Sequence, residues 1–345
     1  MAGYTRCPEW LKLSALEPTI LDKMTKLTRD LKLHTVCESA RCPNRTICFA
    51  EGTATFMILG NICTRNCTFC AVKCGKPRAP DPQEPDHIVQ AVDRLGLRHV
   101  VITSVTRDDL PDGGSSQFAQ TIRAIHEYDP NITVEVLIPD FQGSASALQT
   151  VLDASPAVLN HNIETVPRLY SEVRPQAKYR RSLDLLKRVK LLGNSLVTKS
   201  GFMLGLGESR EEVIGVMADL RQAGCDLLTI GQYLRPSLEH NKLVRYVRPE
   251  EFEEYQIVGK KLGFVSIMSG PLVRSSFHAA EMHISAARKS KQKPSSSCST
   301  IEQKPGMLLS YVKSRMFRPV AFPYLGKPDA KGLRLANSFT QIACL

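Results

Sequence analysis

From Thr53 the chain alternates short runs rich in β-branched residues with segments of helical period, and this alternation limits its fold more than any other feature. The runs are Ala54–Leu59, His99–Ser104, Ile132–Ile138, Val158–Ile163, Leu196–Met203, Leu227–Ile230 and Phe264–Ile267. Between them lie His87–Gly96, Phe118–Tyr128, Ala145–Ala154, Ser182–Leu192 and Ser209–Gly224. The last of these opens with a capping box, Ser209 and Glu212, and closes on a glycine. Parallel neighbours cannot be joined by a tight hairpin; each crossover takes a helix. Repeated strand–helix alternation therefore predicts an α/β fold on a parallel sheet. About six units predict a partial (β/α)6-type barrel over 53–270 rather than a short open sheet. Polar residues gather just after the strands, at Asn61–Cys70, Thr106–Gly114, Pro139–Phe141, His161–Glu164, Gly205–Glu208 and Gln232–Pro236. In such folds that end of the sheet carries the chemistry.

Outside the barrel, 1–52 reads as an N-terminal extension, irregular apart from a helix near Pro18–Leu31. Residues 271–288 form a C-terminal segment, and 289–345 a basic tail whose Lys/Ser-rich start, Lys289–Ser299, is expected to be mobile. The net charge of +11 is concentrated there: seven Lys and three Arg face Glu302 and Asp329, which leaves the body nearly balanced. A balanced body gives no footprint for a phosphate backbone, so no nucleic-acid partner is expected. No stretch approaches the roughly 18 apolar residues of a membrane span. Met1–Lys12 lacks the apolar core of a signal peptide, and no Arg/Ser-rich transit arm is visible. A cytoplasmic location without membrane partners is the expectation.

Seven of the eleven cysteines fall between Cys37 and Cys74. Clustered thiols in a long chain with no secretion signal read as metal ligands rather than as a disulfide framework. One group is C-T-R-N-C-T-F-C: Cys63, Cys67 and Cys70, directly after the first strand. Three thiolates on one loop grip three corners of a 4Fe–4S cube and leave one iron open. S-adenosylmethionine binds such an iron through its amino and carboxylate groups, and one electron then splits its carbon–sulfur bond to give a primary carbon radical. The C-x3-C-x2-C spacing, with Phe69 before the last cysteine, is the signature of radical S-adenosylmethionine enzymes. A zinc site is the alternative, although zinc favours paired C-x2-C knuckles. Cys74 follows closely, as a fourth ligand or a bystander. The other group, Cys37, Cys42 and Cys48, has C-x4-C-x5-C spacing in what reads as one irregular loop. A second 4Fe–4S centre, a structural zinc or scattered core thiols are all open from spacing alone.

Longer stretches carry a family resemblance: C-E-S-A-R-C-P-N…C, G-T-A-T-F-M-I-L-G-N-I-C-T-R-N-C-T-F-C, T-S-V-T-R-D-D-L-P-D-G-G, N-H-N-I-E-T-V, F-M-L-G-L-G-E, L-T-I-G-Q-Y-L-R-P-S and S-G-P-L-V-R-S-S-F-H-A. From about Cys7 to Glu281 the chain closely resembles lipoyl synthases. The resemblance implies a radical S-adenosylmethionine partial barrel with N- and C-terminal extensions over the site. It implies that the Cys63, Cys67, Cys70 cluster reduces S-adenosylmethionine. The cluster of Cys37, Cys42 and Cys48 would then be auxiliary, with Ser276 of R-S-S as its fourth ligand. An alkoxide holds iron less firmly than a thiolate, which suits a cluster meant to be dismantled. The implied substrate is an octanoyl-lysine on the lipoyl domains of 2-oxoacid dehydrogenases or on the glycine cleavage H protein. Hydrogen is taken from carbon 6 and then carbon 8, each by one deoxyadenosyl radical, and sulfur of the auxiliary cluster fills each position. An electron donor such as ferredoxin or flavodoxin and cluster-repair proteins are the further implied partners.

Contacts to S-adenosylmethionine rest on weaker signals. Gly113 and Gly114 stand where the superfamily places a backbone contact to the methionine amine; a plain loop turn is the alternative. Asn162 and Glu164 bind ribose or cap a helix, Arg174 holds a carboxylate or a surface ion pair, and Met203 packs on adenine or in the core. Gly205 and Gly207 suggest close backbone approach. His161 and His278 read as structural, and Cys7, Cys225, Cys298 and Cys344 as ordinary thiols. Two positions depart from the family pattern: Phe277 replaces the tyrosine after R-S-S, and Phe49 replaces the tryptophan after Cys48. Two rival readings stay open, another radical sulfur-inserting enzyme and a non-enzymatic iron–sulfur or zinc scaffold.

Overall fold

The computed structural model describes residues 7–11, 18–40, 42, 44–50, 53–192 and 196–291. Seven parallel strands lie side by side in chain order: β1 (Thr53–Ile58), β2 (His99–Ser104), β3 (Thr133–Leu137), β4 (Val158–Asn160), β5 (Val197–Leu204), β6 (Leu227–Gln232) and β7 (Ser266–Ser269). Sequential adjacency means that every crossover steps one strand in the same direction, as in a barrel wall. The register is even, with Thr53 opposite His99 and Ile58 opposite Ser104 at one end of the sheet and Ser269 opposite Ile230 at the other. A two-residue strand, His34–Thr35, joins the β1 edge antiparallel.

The crossovers carry helices α1 (Glu84–Leu95), α2 (Ser115–Tyr128), α3 (Ala145–Leu152), α4 (Tyr179–Leu192), α5 (Arg210–Gln222) and α6 (Pro249–Leu262), and α7 (Ala279–Lys291) follows β7. Six strand–helix units and a closing strand thus match the alternation read from the sequence. The capping box of α5 forms as the spacing predicts, Ser209 accepting from the Glu212 N–H and Glu212 from the Ser209 N–H. Strands and helices bury two apolar clusters. Phe56, Val100, Val134, Ile88 and Phe118 lie in one, under β1–β3. The other, around β5 and β6, contains Phe202, Leu228, Val213 and Phe252. Helix α7 brings Met282 and Ala286 against Val158 and Leu227, which begin β4 and β6. It therefore closes the N-terminal end of the barrel, and the C-terminal end is left for the site. Among the described residues no helix is long and apolar enough to cross a membrane.

The extension differs from its sequence reading. The helix near Pro18 is present as Pro18–Asp30, but the first cysteine group is not irregular. Cys37 sits on a one-turn helix, Val36–Ser39, whose first turn is capped by Thr35; Cys48 sits on a second helix, Arg45–Ala50. Such short turns have too few residues to show a helical period in sequence. Of the tail, Lys289–Lys291 continue α7; the rest, including Cys298 and Cys344, lies outside the described residues.

Candidate functional site

The chain leaves β1 through Leu59 and Gly60, both in the left-handed region (φ 67° and 87°), and turns at once into the loop of Cys63, Cys67 and Cys70. Ile62–Cys63 pairs with Lys73–Cys74, closing the loop at its base. Cys74 is exposed, and the other three thiols are half-buried. Several bonds fix the loop to the strand ends. The Thr64 N–H donates to Thr106 O (3.0 Å), and Thr68 Oγ donates to Glu172 O (2.8 Å). The Asn241 N–H donates to Thr68 O (2.9 Å), and His240 Nε2 lies 3.0 Å from Cys70 O. The strongest anchor is Arg65, which lies between the first two cysteines. It grips Asp108 and Asp140, each at 2.6 Å, and its side chain is 4% exposed. Burial works against the Asp140 charge, but Arg65 outweighs it and holds the carboxyl at about 2.

The thiols share one electrostatic setting. Burial pushes Cys67 and Cys70 upward, and the charges of Cys63 and Glu164 add to this. Backbone N–H groups two residues on point at the sulfurs: Arg65 N to Cys63 Sγ (3.4 Å) and Val72 N to Cys70. Donors of this kind stabilise negative sulfur and tune a cluster's potential. Buried thiols with raised pKa release their protons when a cationic metal takes their place, so this donor set fits an iron–sulfur group.

The first cysteine group is built differently. Cys37 is buried and its thiol pushed up to about 12, chiefly by burial and then by the charge of Cys42. The Cys42 N–H donates to Cys37 O (2.9 Å), and the Cys48 N–H to Asn44 O (3.0 Å). Burial also raises Cys42, against the opposing charge of Arg274 and an N–H bond from Asn44. Arg274 belongs to R-S-S, so the extension and the C-terminal segment meet here. Asn44 Nδ2 ties them directly, donating to Leu272 O at 2.6 Å. On its other side that segment presses on the barrel: a Cβ on Gly231 would lie 2.1 Å from Val273 O. Ser276 itself is half-buried on the turn leading into α7. Among the described residues no three His, Cys, Asp or Glu side chains converge as ligands of a single metal ion would.

A cleft of about 270 Å³ opens at the C-terminal ends of β4–β6, lined by Asn162, Glu164, Met203, Thr229, Val273 and Arg274. Asn162 and Met203 are thus together with Glu164, whose charge acts on Cys67 and Cys70. Burial raises the Glu164 carboxyl, opposed by Arg174 and a bond from Asn162. Asn162 Oδ1 is buried with no protein partner, as is Arg174 Nε. Unpaired buried polar atoms beside a cleft suit a polar ligand that completes them. Arg174 is not in a surface ion pair. Its Nη1 donates to Asn162 O (3.0 Å) and Tyr170 Oη (3.1 Å), and its charge reaches Cys67.

Other candidates are held by the fold itself. Phe69 is buried in the core beneath the cysteine loop. Gly113 and Gly114 form the left-handed turn into α2, and a Cβ on Gly114 would lie 2.3 Å from Leu59 Cδ1. Their N–H groups already bond to Leu110 O and Asp112 Oδ1, and Gly114 O accepts from the Gln117 and Phe118 N–H groups, so a ligand contact from this pair falls to the Gly113 carbonyl. The close approach expected at Gly205 is made by Gln232 and Arg245 of the same chain. His161 is satisfied on both nitrogens, by Ile138 O (2.8 Å) and Ser182 Oγ (2.9 Å). Sequence reasoning missed Arg65, Asp140, His240, Asn241 and Asn44. Arg65 and Asn44 carried a signal, a polar residue inside each cysteine loop, and so did Asp140, in the polar stretch after its strand; nothing in sequence gave their partners.

Comparison with known proteins agrees with this geometry. The Radical SAM superfamily matches residues 57–220. The solved structure of Streptococcus suis SuiB bound to precursor peptide SuiA superposes with a TM-score of 0.52, covering 80% of this chain and 59% of that one at 13% identity, a likeness of fold. Lipoyl synthase of Caldanaerobacter subterraneus subsp. tengcongensis is 58% identical over 283 residues, 82% of this chain and 99% of that protein. Lipoyl synthase of Rubrobacter xylanophilus is 55% identical, covering 81% of this chain and 88% of its own. Identity at this level over nearly the full length of a relative, on a radical S-adenosylmethionine barrel with its thiol loop at the strand ends, makes this chain a member of the lipoyl synthase family.

Proposed function

We propose that the chain inserts two sulfur atoms, at carbons 6 and 8 of a protein-bound octanoyl-lysine, and so makes the lipoyl group. Cys63, Cys67 and Cys70 hold the cube that engages S-adenosylmethionine. Cys37, Cys42 and Cys48, with Ser276, hold the auxiliary cube that gives up its sulfur. When bound, these groups supply the one-electron and sulfur-transfer chemistry that no side chain can provide. The chain's own residues bind and orient. Asn162 and Arg174 offer polar atoms to S-adenosylmethionine, Met203 an apolar wall, and the Gly113–Gly114 turn the carbonyl of Gly113. The fixed loop keeps the reacting carbon at one distance, so orientation supplies most of the selectivity.

One observation supports this reading: a single cleft is lined by residues whose charges act on both thiol groups. Glu164, whose charge reaches Cys67 and Cys70, lines it, and so does Arg274, whose charge reaches Cys42. A sulfur donor and a radical generator must both face the same substrate carbon, and this arrangement provides for that. Substrates are octanoylated lipoyl domains of 2-oxoacid dehydrogenase complexes and the glycine cleavage H protein. Ferredoxin or flavodoxin supplies electrons, and cluster-repair proteins restore the auxiliary site. The test is anaerobic mass spectrometry of an octanoyl-lysine lipoyl-domain peptide mixed with reconstituted protein, S-adenosylmethionine and a strong reductant. Gain of two sulfur atoms with no net change in hydrogen is expected, because each of the two C–H bonds becomes C–S–H under the reductant. Deoxyadenosine without sulfur gain overturns the sulfur-insertion reading and leaves a radical enzyme with another acceptor.

A further inference from the structure

Asn44 is 1% exposed, and a buried amide must find partners for its polar atoms. Three of its four polar groups reach three separate places. The backbone N–H points to Cys42 sulfur, the carbonyl accepts the Cys48 N–H at 3.0 Å, and Nδ2 donates to Leu272 O at 2.6 Å. The last bond spans 228 positions of sequence and lands four residues before Ser276. The receiving segment is pinned from the opposite side by β6. There the Gln232 N–H donates to Pro271 O (3.3 Å), the Gly270 N–H donates to Ile230 O (3.0 Å), and Val273 O fills the space where Gly231 lacks a Cβ. The Leu272 carbonyl is therefore held between the barrel wall and the amide of Asn44.

We propose, on the two-cluster reading above, that Asn44 is a positioning residue that sets the gap between the thiolate loop of Cys37, Cys42 and Cys48 and the serine of R-S-S. It touches no ligand atom of Ser276. It acts through the main chain of Leu272 on one side and through Cys42 and Cys48 on the other. A serine alkoxide is a weak ligand for iron, so it binds only if its oxygen is delivered to the open corner of the cube. A short bond from a buried side chain to a main-chain carbonyl is a stiff way to deliver it. The same residue thereby makes a deliberately weak fourth bond available without strengthening that bond.

The test uses the full chain, reconstituted anaerobically, with Asn44→Asp and Asn44→Ser. Aspartate keeps the shape but turns a donor into an acceptor facing the Leu272 carbonyl. Serine keeps a donor that is too short to reach. Outer-shell substitutions of this kind weaken metal retention by about 10- to 100-fold. The expected result is chelator-driven iron release from the auxiliary site faster by about that factor. Loss of the Mössbauer signature of an oxygen-ligated iron should accompany it. The electron paramagnetic response of the other cluster to S-adenosylmethionine should be unchanged, which a general loss of structure would not leave intact. In metal-free protein, amide exchange over 271–276 should also quicken in both variants. Wild-type release rates and Mössbauer spectrum in either folded variant overturn the role of Asn44. Wild-type protein that takes up iron for only one cube sinks the two-cluster reading itself, and this role with it.

Discussion

The two thiol loops are built to different standards of rigidity. The Cys63–Cys70 loop grows from the C-terminal end of β1, the first of the parallel strands, and is held by Arg65, Thr64 and Thr68, with His240 and Asn241 closing over it from the loop after β6. The loop of Cys37, Cys42 and Cys48 lies at the sheet edge. Among the described residues it stands on two short helices, the Thr35 cap, a bond of Cys37 with Thr55 of β1 and the reach of Asn44 to a distant segment. Cooperative, densely bonded regions open only with the whole fold, whereas lightly tied edges open locally. The difference teaches where replacement is affordable. The cluster proposed for repeated electron transfer would sit in the fixed loop, and the one proposed to be consumed would sit where the chain can open for its renewal.

The largest expected effects separate the loops by function. Cys67→Ala should abolish deoxyadenosine formation and product together. Cys37→Ala should retain S-adenosylmethionine cleavage and give no thiolated product. Chromatography of deoxyadenosine beside mass spectrometry of the peptide checks both, and lipoyl product from Cys37→Ala would end the sulfur-donor assignment.

Next comes Arg65→Met, which strips the buried Asp140 of its main partner. Arg181 remains at 3.1 Å. Breaking a buried pair on one side costs about 3–5 kcal/mol. Urea denaturation of the variant should show a loss of that order; one below about 1 kcal/mol, the worth of a surface pair, would mean the fixed loop is not anchored there.

Acid should loosen the fixed side first. Burial, and then the charge of Arg174, holds His161 at about 4 against an ordinary 6.5. The unfolded chain therefore takes up that proton first, and stability falls as pH drops from about 6.5 to about 4, by roughly 3 kcal/mol in total. His161 joins the end of β3 to α4 beside Asp140, so the loss falls on the Arg65 anchor. Thermal melts from pH 7 to 4.5 should show the slope in wild type and a flatter one in His161→Gln. Equal slopes would remove His161 as its source.

The smallest expected effect is on the edge loop. Thr35→Ala removes the side chain that caps the helix of Cys37, worth about 1 kcal/mol. Protection of the amides at 36–40 should drop by about that much, while 64–70 keeps its own. A matching drop at 64–70 would show that the two loops are one cooperative unit and that the contrast is false.

Much of this was legible in sequence. The alternation gave the strands and their order, because parallel neighbours need helical crossovers. The spacing of Cys63, Cys67 and Cys70 put three thiols on one loop, because groups within eight residues meet with little help from elsewhere. Its limits show at Arg174. A lone arginine reads as a carboxylate holder or as a surface ion pair, and the structure puts Arg174 in no such pair but within reach of Cys67, bonded to the main chain of Asn162. They show again at Gly113 and Gly114, whose form answers to Leu59 and Phe141, side chains far away in sequence.

By itself the sequence determined everything that short spacings control: the ligand types, the loop that carries them, the caps and the crossovers. Only the tertiary structure decided which distant groups face each other. Arg65 meets Asp140, Asn44 meets Leu272, and Arg274 comes to stand by Cys42 at the rim of the cleft. The physical reason is that a local motif is closed by a few dihedral angles, whereas a contact across 228 positions depends on the path of every strand and helix between.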